Sequence, residues 1–192
     1  MLKLLTGIVA ILLTLIGGMT TARLWLSFSS PLPGDHTIGD WSVLETAASD
    51  QASALERAAW ARSGFAIMPR ERALYFTRTT ASNGRDLEGG CRYRITGTAP
   101  TAAWWSLMVY DARLSTISSD GPTSINSDNV QLDARGGYTA YLSGAREPGN
   151  WLSNRTSGTL VIVYRIYEPD ETLLKDVSSV SLPVIVQSGG CA

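Results

Sequence analysis

The sequence predicts a mostly β protein: an antiparallel β-sandwich or jelly-roll-like domain, preceded by one transmembrane helix and one short amphipathic helix. Two observations carry this expectation. The chain opens on a long uncharged run, the nineteen residues Leu4 to Ala22. From Ala73 onward, short runs rich in β-branched and aromatic residues recur. Turn chemistry such as Asn83-Gly84, Gly89-Gly90, Gly136-Gly137 and Pro148-Gly149 separates them.

At about 1.5 Å per residue, a helix over Leu4–Ala22 is about 28 Å long, close to the hydrocarbon thickness of a bilayer. Lys3 precedes it, Arg23 follows it, and Trp25 stands where an interfacial aromatic belongs. The short leading end favours a signal-anchor, with the long C-terminal part exported. A cleaved signal peptide is the competing reading, with Thr20-Thr21-Ala22 as the cleavage site; the full spanning length of the run favours the anchor. Within the span, Thr6, Ala10, Thr14 and Gly18 recur every four residues. Such a stripe of small side chains is either a docking face for a membrane-protein partner or a lipid-facing surface.

The organisation expected is an anchor over residues 1–25, a linker over 26–45 and an exported β-sandwich domain with an N-terminal helix over 46–192. Residues 26–41 carry several Pro and Gly interruptions. The helix is expected over Thr46–Ser63, with Ala52, Leu55 and Ala59 on one face, Ser53 and Glu56 at capping-box spacing, and Gly64 as its C-cap. Strands are expected over Ala73–Thr79, Cys91–Thr96, Ala103–Tyr110, Val130–Ala134, Tyr138–Leu142, Thr159–Tyr167 and Leu182–Gln187. The Thr159–Tyr167 run is apolar on both faces and reads as a central strand.

Hydrophobic residues make up 44% of the 192, charged residues 17%, and the net charge is −1. A sizeable core is affordable, and the charge balance argues against a nucleic-acid partner. From Arg57 to Arg94 eight arginines stand against three acids. This stretch is either a basic face for anionic lipid headgroups or, more commonly, a set of solvated strand and helix faces.

Several blocks in order, ALYFTRTTASNGRDLEGGCRYRITG, AWWSLMVYD, NWLSNRTSGTLVIVYRIYEPD and SLPVI, resemble the bacterial domain-of-unknown-function family numbered 1214 over roughly Pro69 to Cys191. The chain is similar to its short, membrane-anchored members. The resemblance implies a β-sandwich and an envelope location, and no reaction. Two segments depart from the family pattern: STISSDGPTS after Leu114, and Ser153, which stands where the family tends to have Pro.

Cys91 and Cys191 are the two cysteines; in an oxidising compartment they form a disulfide, whereas in a cytoplasmic domain they would be two free thiols. Two cysteines without a neighbouring histidine make no zinc ligand set, and neither a metal nor a cofactor is expected. His36, the one histidine, falls in the linker, and no Gly-x-Ser-x-Gly elbow, phosphate loop or dinucleotide fingerprint occurs. No catalytic residue is assigned. Carboxylate pairs for glycoside hydrolysis could be drawn from Asp111, Asp120, Asp128, Asp133 and Glu147, as from any surface domain. Asn154-Arg155-Thr156 matches a glycosylation sequon.

The aromatics are more distinctive. In a strand, Trp105, Leu107 and Val109 take one face, and Trp104, Met108 and Tyr110 the other. One set is core; the other is either covered or lines a groove, with Trp104, Trp105, Tyr110, Asn150, Trp151, Arg165 and Tyr167 as the candidate groove residues. Two functions follow: a non-catalytic, membrane-anchored periplasmic accessory protein on the cytoplasmic membrane, or an envelope saccharide-binding protein or hydrolase.

Overall fold

The structure is a computed structural model that describes residues 2–28, 34, 36–46, 48–63 and 65–191. Two compact units are present, residues 1–30 and 31–192. The first is one helix, α1 (Leu2–Phe28). Within it Lys3–Leu24 is long and apolar enough to cross a membrane. Its apolar side chains, Leu4, Leu13 and Leu15 among them, are exposed. Thr14 donates to the carbonyls of Ala10 and Ile11, and Thr20 to those of Ile16 and Gly17. These hydroxyls are therefore satisfied within the helix, as an apolar surrounding demands.

The second unit is mostly β, built from two sheets. The larger runs β1 (His36–Ile38), β2 (Trp41–Val43), β3 (Ala73–Arg78), β9 (Leu160–Pro169), β5 (Ala102–Asp111) and β6 (Ser124–Asn126), all antiparallel. The smaller runs β10 (Val184–Cys191), β4 (Cys91–Thr98), β7 (Gly137–Ser143) and β8 (Asn150–Ser153). Its β7–β8 pair is parallel, a departure from the all-antiparallel expectation. Leu74, Phe76, Leu107, Ile162 and Tyr164 of the large sheet share one buried cluster with Tyr93, Ile95, Tyr138, Leu142 and Leu152 of the small one. The arrangement is sandwich-like: each strand turns alternate residues inward, and each large apolar side chain so buried stabilises the fold by about 1.5–3 kcal/mol. The double-sided apolar run is β9, central between β3 and β5 as its composition predicts.

Three expectations need adjustment. Residues 36–43, inside the stretch read as linker, form β1 and β2. Trp41 and Val43 alternate into the core there, and Trp41 Nε1 donates to Pro183 O at 2.9 Å. The expected helix is shorter, α2 (Ala54–Ser63). Its capping box forms as the spacing predicts: Glu56 N–H donates to Ser53 Oγ and Ser53 N–H to Glu56 Oε2. Trp60 is its buried residue, and Ala52, expected on its face, is buried just ahead of it; Gly64 lies outside the described residues, as do the side chains of Leu55 and Ala59. Val130–Ala134 is not a strand. Asn150 Oδ1 accepts from Gln131 N–H at 2.7 Å while its Nδ2 donates to Gln131 O at 2.8 Å, so a side-chain amide replaces the strand partner. A short helix, α3 (Glu171–Lys175), follows β9, with Asp170 capping it by accepting from Leu173 N–H.

The sulfurs of Cys91 and Cys191 lie at disulfide distance, at facing positions of β4 and β10. The Asn154 amide beside them is 0% exposed and donates to Cys91 O at 2.7 Å. The asparagine of the sequon is thus buried, with its nitrogen committed to the backbone. Among the described residues, four of the eight arginines in the basic stretch are in ion pairs: Arg70 with Glu45, Arg72 with Glu168, Arg78 with Asp40 and Arg92 with Glu147.

Candidate functional site

Along β9, Val161, Val163, Arg165 and Tyr167 alternate with the core residues Ile162, Tyr164 and Ile166. Arginine therefore stands in an otherwise apolar row on the outer face of the large sheet. Register puts Tyr75 of β3 on one side of Arg165 and Ser106 of β5 on the other. Residues between β2 and β3 roof this face. Ala52 and Trp60 are buried in one cluster with Tyr75, Tyr110 and Val163, and Phe65 and Ile67 pack against it. The sheet thus keeps apolar cover on both sides, and Arg165 is only 8% exposed.

Arg165 Nη2 donates to Tyr110 Oη at 2.7 Å. The guanidinium carbon lies 4.8 Å from the Phe65 ring centroid and 5.3 Å from that of Tyr110. These rings favour the cation electrostatically and hold its plane. No carboxylate among the described residues lies within ion-pair distance of it. Arg78, also buried, differs in this respect, since Asp40 sits 2.7 Å from its Nη2.

A cleft of about 350 Å³ opens over Arg165, walled by Phe65, Tyr75, Tyr110, Leu114 and Tyr167. Burial pushes the Tyr75 hydroxyl above the ordinary phenol range, against the opposing effects of the Met68 N–H it accepts and of Arg165. At neutral pH Tyr75 is therefore an uncharged phenol and does not neutralise the arginine. Leu114 reaches the cleft from a tight turn in which Asp111 Oδ1 accepts from the N–H groups of Arg113 and Ser115, each at 2.8 Å. Its φ is +61°, a left-handed conformation that costs a leucine about 1–3 kcal/mol and often marks a binding site. The cleft offers one fixed cation and several ring faces, which is binding chemistry.

The candidate groove residues separate into four places. Tyr110, Arg165 and Tyr167 meet at the cleft, and Trp104 adjoins it, its ring 5.3 Å from Tyr167 and its Nε1 donating to Asp128. Trp105 is core, stacked on Tyr138 at 5.2 Å, so the face assignment along β5 holds. Asn150 is the clamp on Gln131. Trp151 lies on the smaller sheet, half-buried, with its Nε1 donating to Ser143. Phe65, Tyr75 and Leu114 were not among the expected residues. Their apolar character is legible in the sequence, but their meeting depends on strand register and on the fold-back of residues 65–68.

The five carboxylates considered for hydrolysis each have a separate partner. Asp111 caps its turn, Asp120 pairs with Arg155, Asp128 accepts from Trp104, Asp133 accepts from the N–H groups of Arg135 and Gly137, and Glu147 pairs with Arg92. Glu88, Cys91 and Cys191 place their ligand atoms within 4.8 Å of one another, but sulfurs at disulfide distance leave no thiolate to hold a metal.

The profile of the family described as "Protein of unknown function (DUF1214)" matches residues 72–171. No curated protein matches the chain in sequence. Among solved structures, the VPA0106 protein from Vibrio parahaemolyticus is similar, with a TM-score of 0.55 and 20% identity. The match covers 88% of this chain and 43% of that one, so the chain spans less than half of its length. A putative uncharacterized protein from Burkholderia cenocepacia aligns with a TM-score of 0.46 and 17% identity over 60% of this chain and 30% of its own. The first likeness bears on the fold.

Proposed function

This chain belongs to the DUF1214 family, a family of proteins of unknown function, and we propose that it is a single-pass, membrane-anchored envelope protein whose β domain works by binding. In this reading α1 lies in the cytoplasmic membrane and the β domain stands in the periplasm, where it binds or stabilises a partner as an accessory protein. The observation that carries the binding part is Arg165, a buried cation with no acidic partner among the described residues, at the floor of an open aromatic cleft. Buried charge without compensation costs several kcal/mol, and a site that keeps one generally uses it. The membrane part is supported by the apolar side chains exposed along α1, which a bilayer would cover. Cysteines at disulfide distance suit an oxidising compartment.

Reporter fusions after Cys191 test the location. A periplasm-dependent reporter should be active and stay in the membrane fraction, and a cytoplasm-dependent one silent. The reverse pattern would place the cleft in the cytoplasm and end the envelope reading.

A further inference from the structure

We propose that the cleft over Arg165 is a monoanion site, and that its ligand carries a carboxylate on an aromatic or similarly flat apolar body. This rests on the reading of the β domain as a binding module and names the chemistry it binds.

The guanidinium sets the charge. It has five N–H donors in a planar fork, and its hydrogen bond to Tyr110 Oη uses one group, Nη2. Donors that remain in so buried a position suit the two oxygens of a carboxylate, which the fork matches bidentately. The rings of Phe65 and Tyr110 restrain the plane of the fork before any ligand arrives. Less side-chain freedom is then lost on binding.

The lining sets the number of charges. Besides Arg165, the cleft is lined by phenylalanine, tyrosine, leucine and alanine side chains, with no carboxylate and no second basic residue among them. One cation balances one negative charge. A phosphate dianion would bring a second charge into a buried place with nothing to meet it, so a carboxylate fits better.

The walls set the body of the ligand. Tyr75, Tyr167 and Leu114 offer ring and aliphatic surface, and Trp104 extends it beyond Tyr167. A volume of about 350 Å³ is at the small end of ligand pockets, enough for a compact molecule of one or two rings. Leu114 holds its strained backbone where its side chain closes one wall.

Fluorine NMR of the purified full-length protein in mild detergent tests this, with 4-fluorobenzoate as the probe. Its neutral isostere 4-fluorobenzamide and inorganic phosphate are the comparators. The wild type should broaden the 4-fluorobenzoate line, bind the benzamide about tenfold more weakly, and keep the benzoate when equimolar phosphate is added. R165K, which keeps the charge and loses the fork, should bind benzoate about tenfold more weakly, and R165M should not broaden the line.

Equal binding of benzoate and benzamide by the wild type would mean an apolar groove without an anion site and would overturn the proposal. Displacement by phosphate at lower concentration would replace the carboxylate with a phosphate. Unchanged broadening by R165M would move the probe elsewhere, and no broadening by the wild type at millimolar probe would remove the ligand class. The three wild-type comparisons do not depend on how any variant folds. They also use purified protein, so failed export in the reporter assay leaves them standing.

Discussion

Arg78 and Arg165 are two nearly buried arginines that show different solutions to one cost. Arg78 meets Asp40 and also donates to Thr80 O, so its charge is compensated where it stands. Arg165 has a phenol and two ring faces, which soften the desolvation of a full charge without cancelling it. Asn150 is polar and buried for another reason. Its amide makes three hydrogen bonds to backbone, one from Gln131 N–H and two to the carbonyls of Gln131 and Thr139. In N150A those backbone groups would have to find water, and the loss should be about 2–3 kcal/mol. Urea unfolding would measure it, with faster hydrogen exchange at Gln131; unchanged stability would mean that water replaces the amide at no cost.

At the scale of elements, much of the β domain is legible because its strands are long. Cys91–Thr98 alternates visibly, Ala102–Asp111 is a run of aromatic and apolar residues, and Leu160–Pro169 is apolar on both faces because sheet partners flank it and both of its faces are covered. The α2 capping box needs only local geometry, so Ser53 and Glu56 announce it. Strands of three or four residues, such as Ser124–Asn126 and Asn150–Ser153, are too short to show a period. Residues 130–134 show the opposite failure. Their β-like composition is real, but their hydrogen-bonding partner is a side chain rather than a strand. Half of the site was legible for the same reason. Alternation places Trp104 and Tyr110 on one face of β5, whereas only register brings Tyr75 beside Arg165. Cross-strand pairing is a long-range fact, and single-strand periodicity does not contain it.

At the scale of the whole molecule, the sandwich buries phenols that a smaller core would leave wet. Burial pushes the hydroxyls of Tyr75, Tyr93, Tyr138 and Tyr164 above the ordinary phenol range. The folded chain therefore holds these protons beyond the point, near the ordinary phenol value of 10.0, where the unfolded chain releases them. Their contribution to stability is complete below that pH and declines as the pH rises past it. Phenolate absorbance from these four should appear only together with loss of circular dichroism. Titration of all seven tyrosines with the fold intact would contradict their burial.

The account turns on Arg165 being kept for binding rather than for stability, and thermal melting of the full-length protein and R165M, with and without sodium benzoate, tests that most directly. Methionine fills similar space without a buried charge, so R165M should melt at or above the wild-type temperature in the absence of benzoate. Benzoate at about five times its Kd should add about 1 kcal/mol to the wild type, a rise of about 2–4 °C, and leave R165M unmoved. An R165M that melts well below the wild type, with the same response to benzoate, would make Arg165 a structural residue and contradict the account.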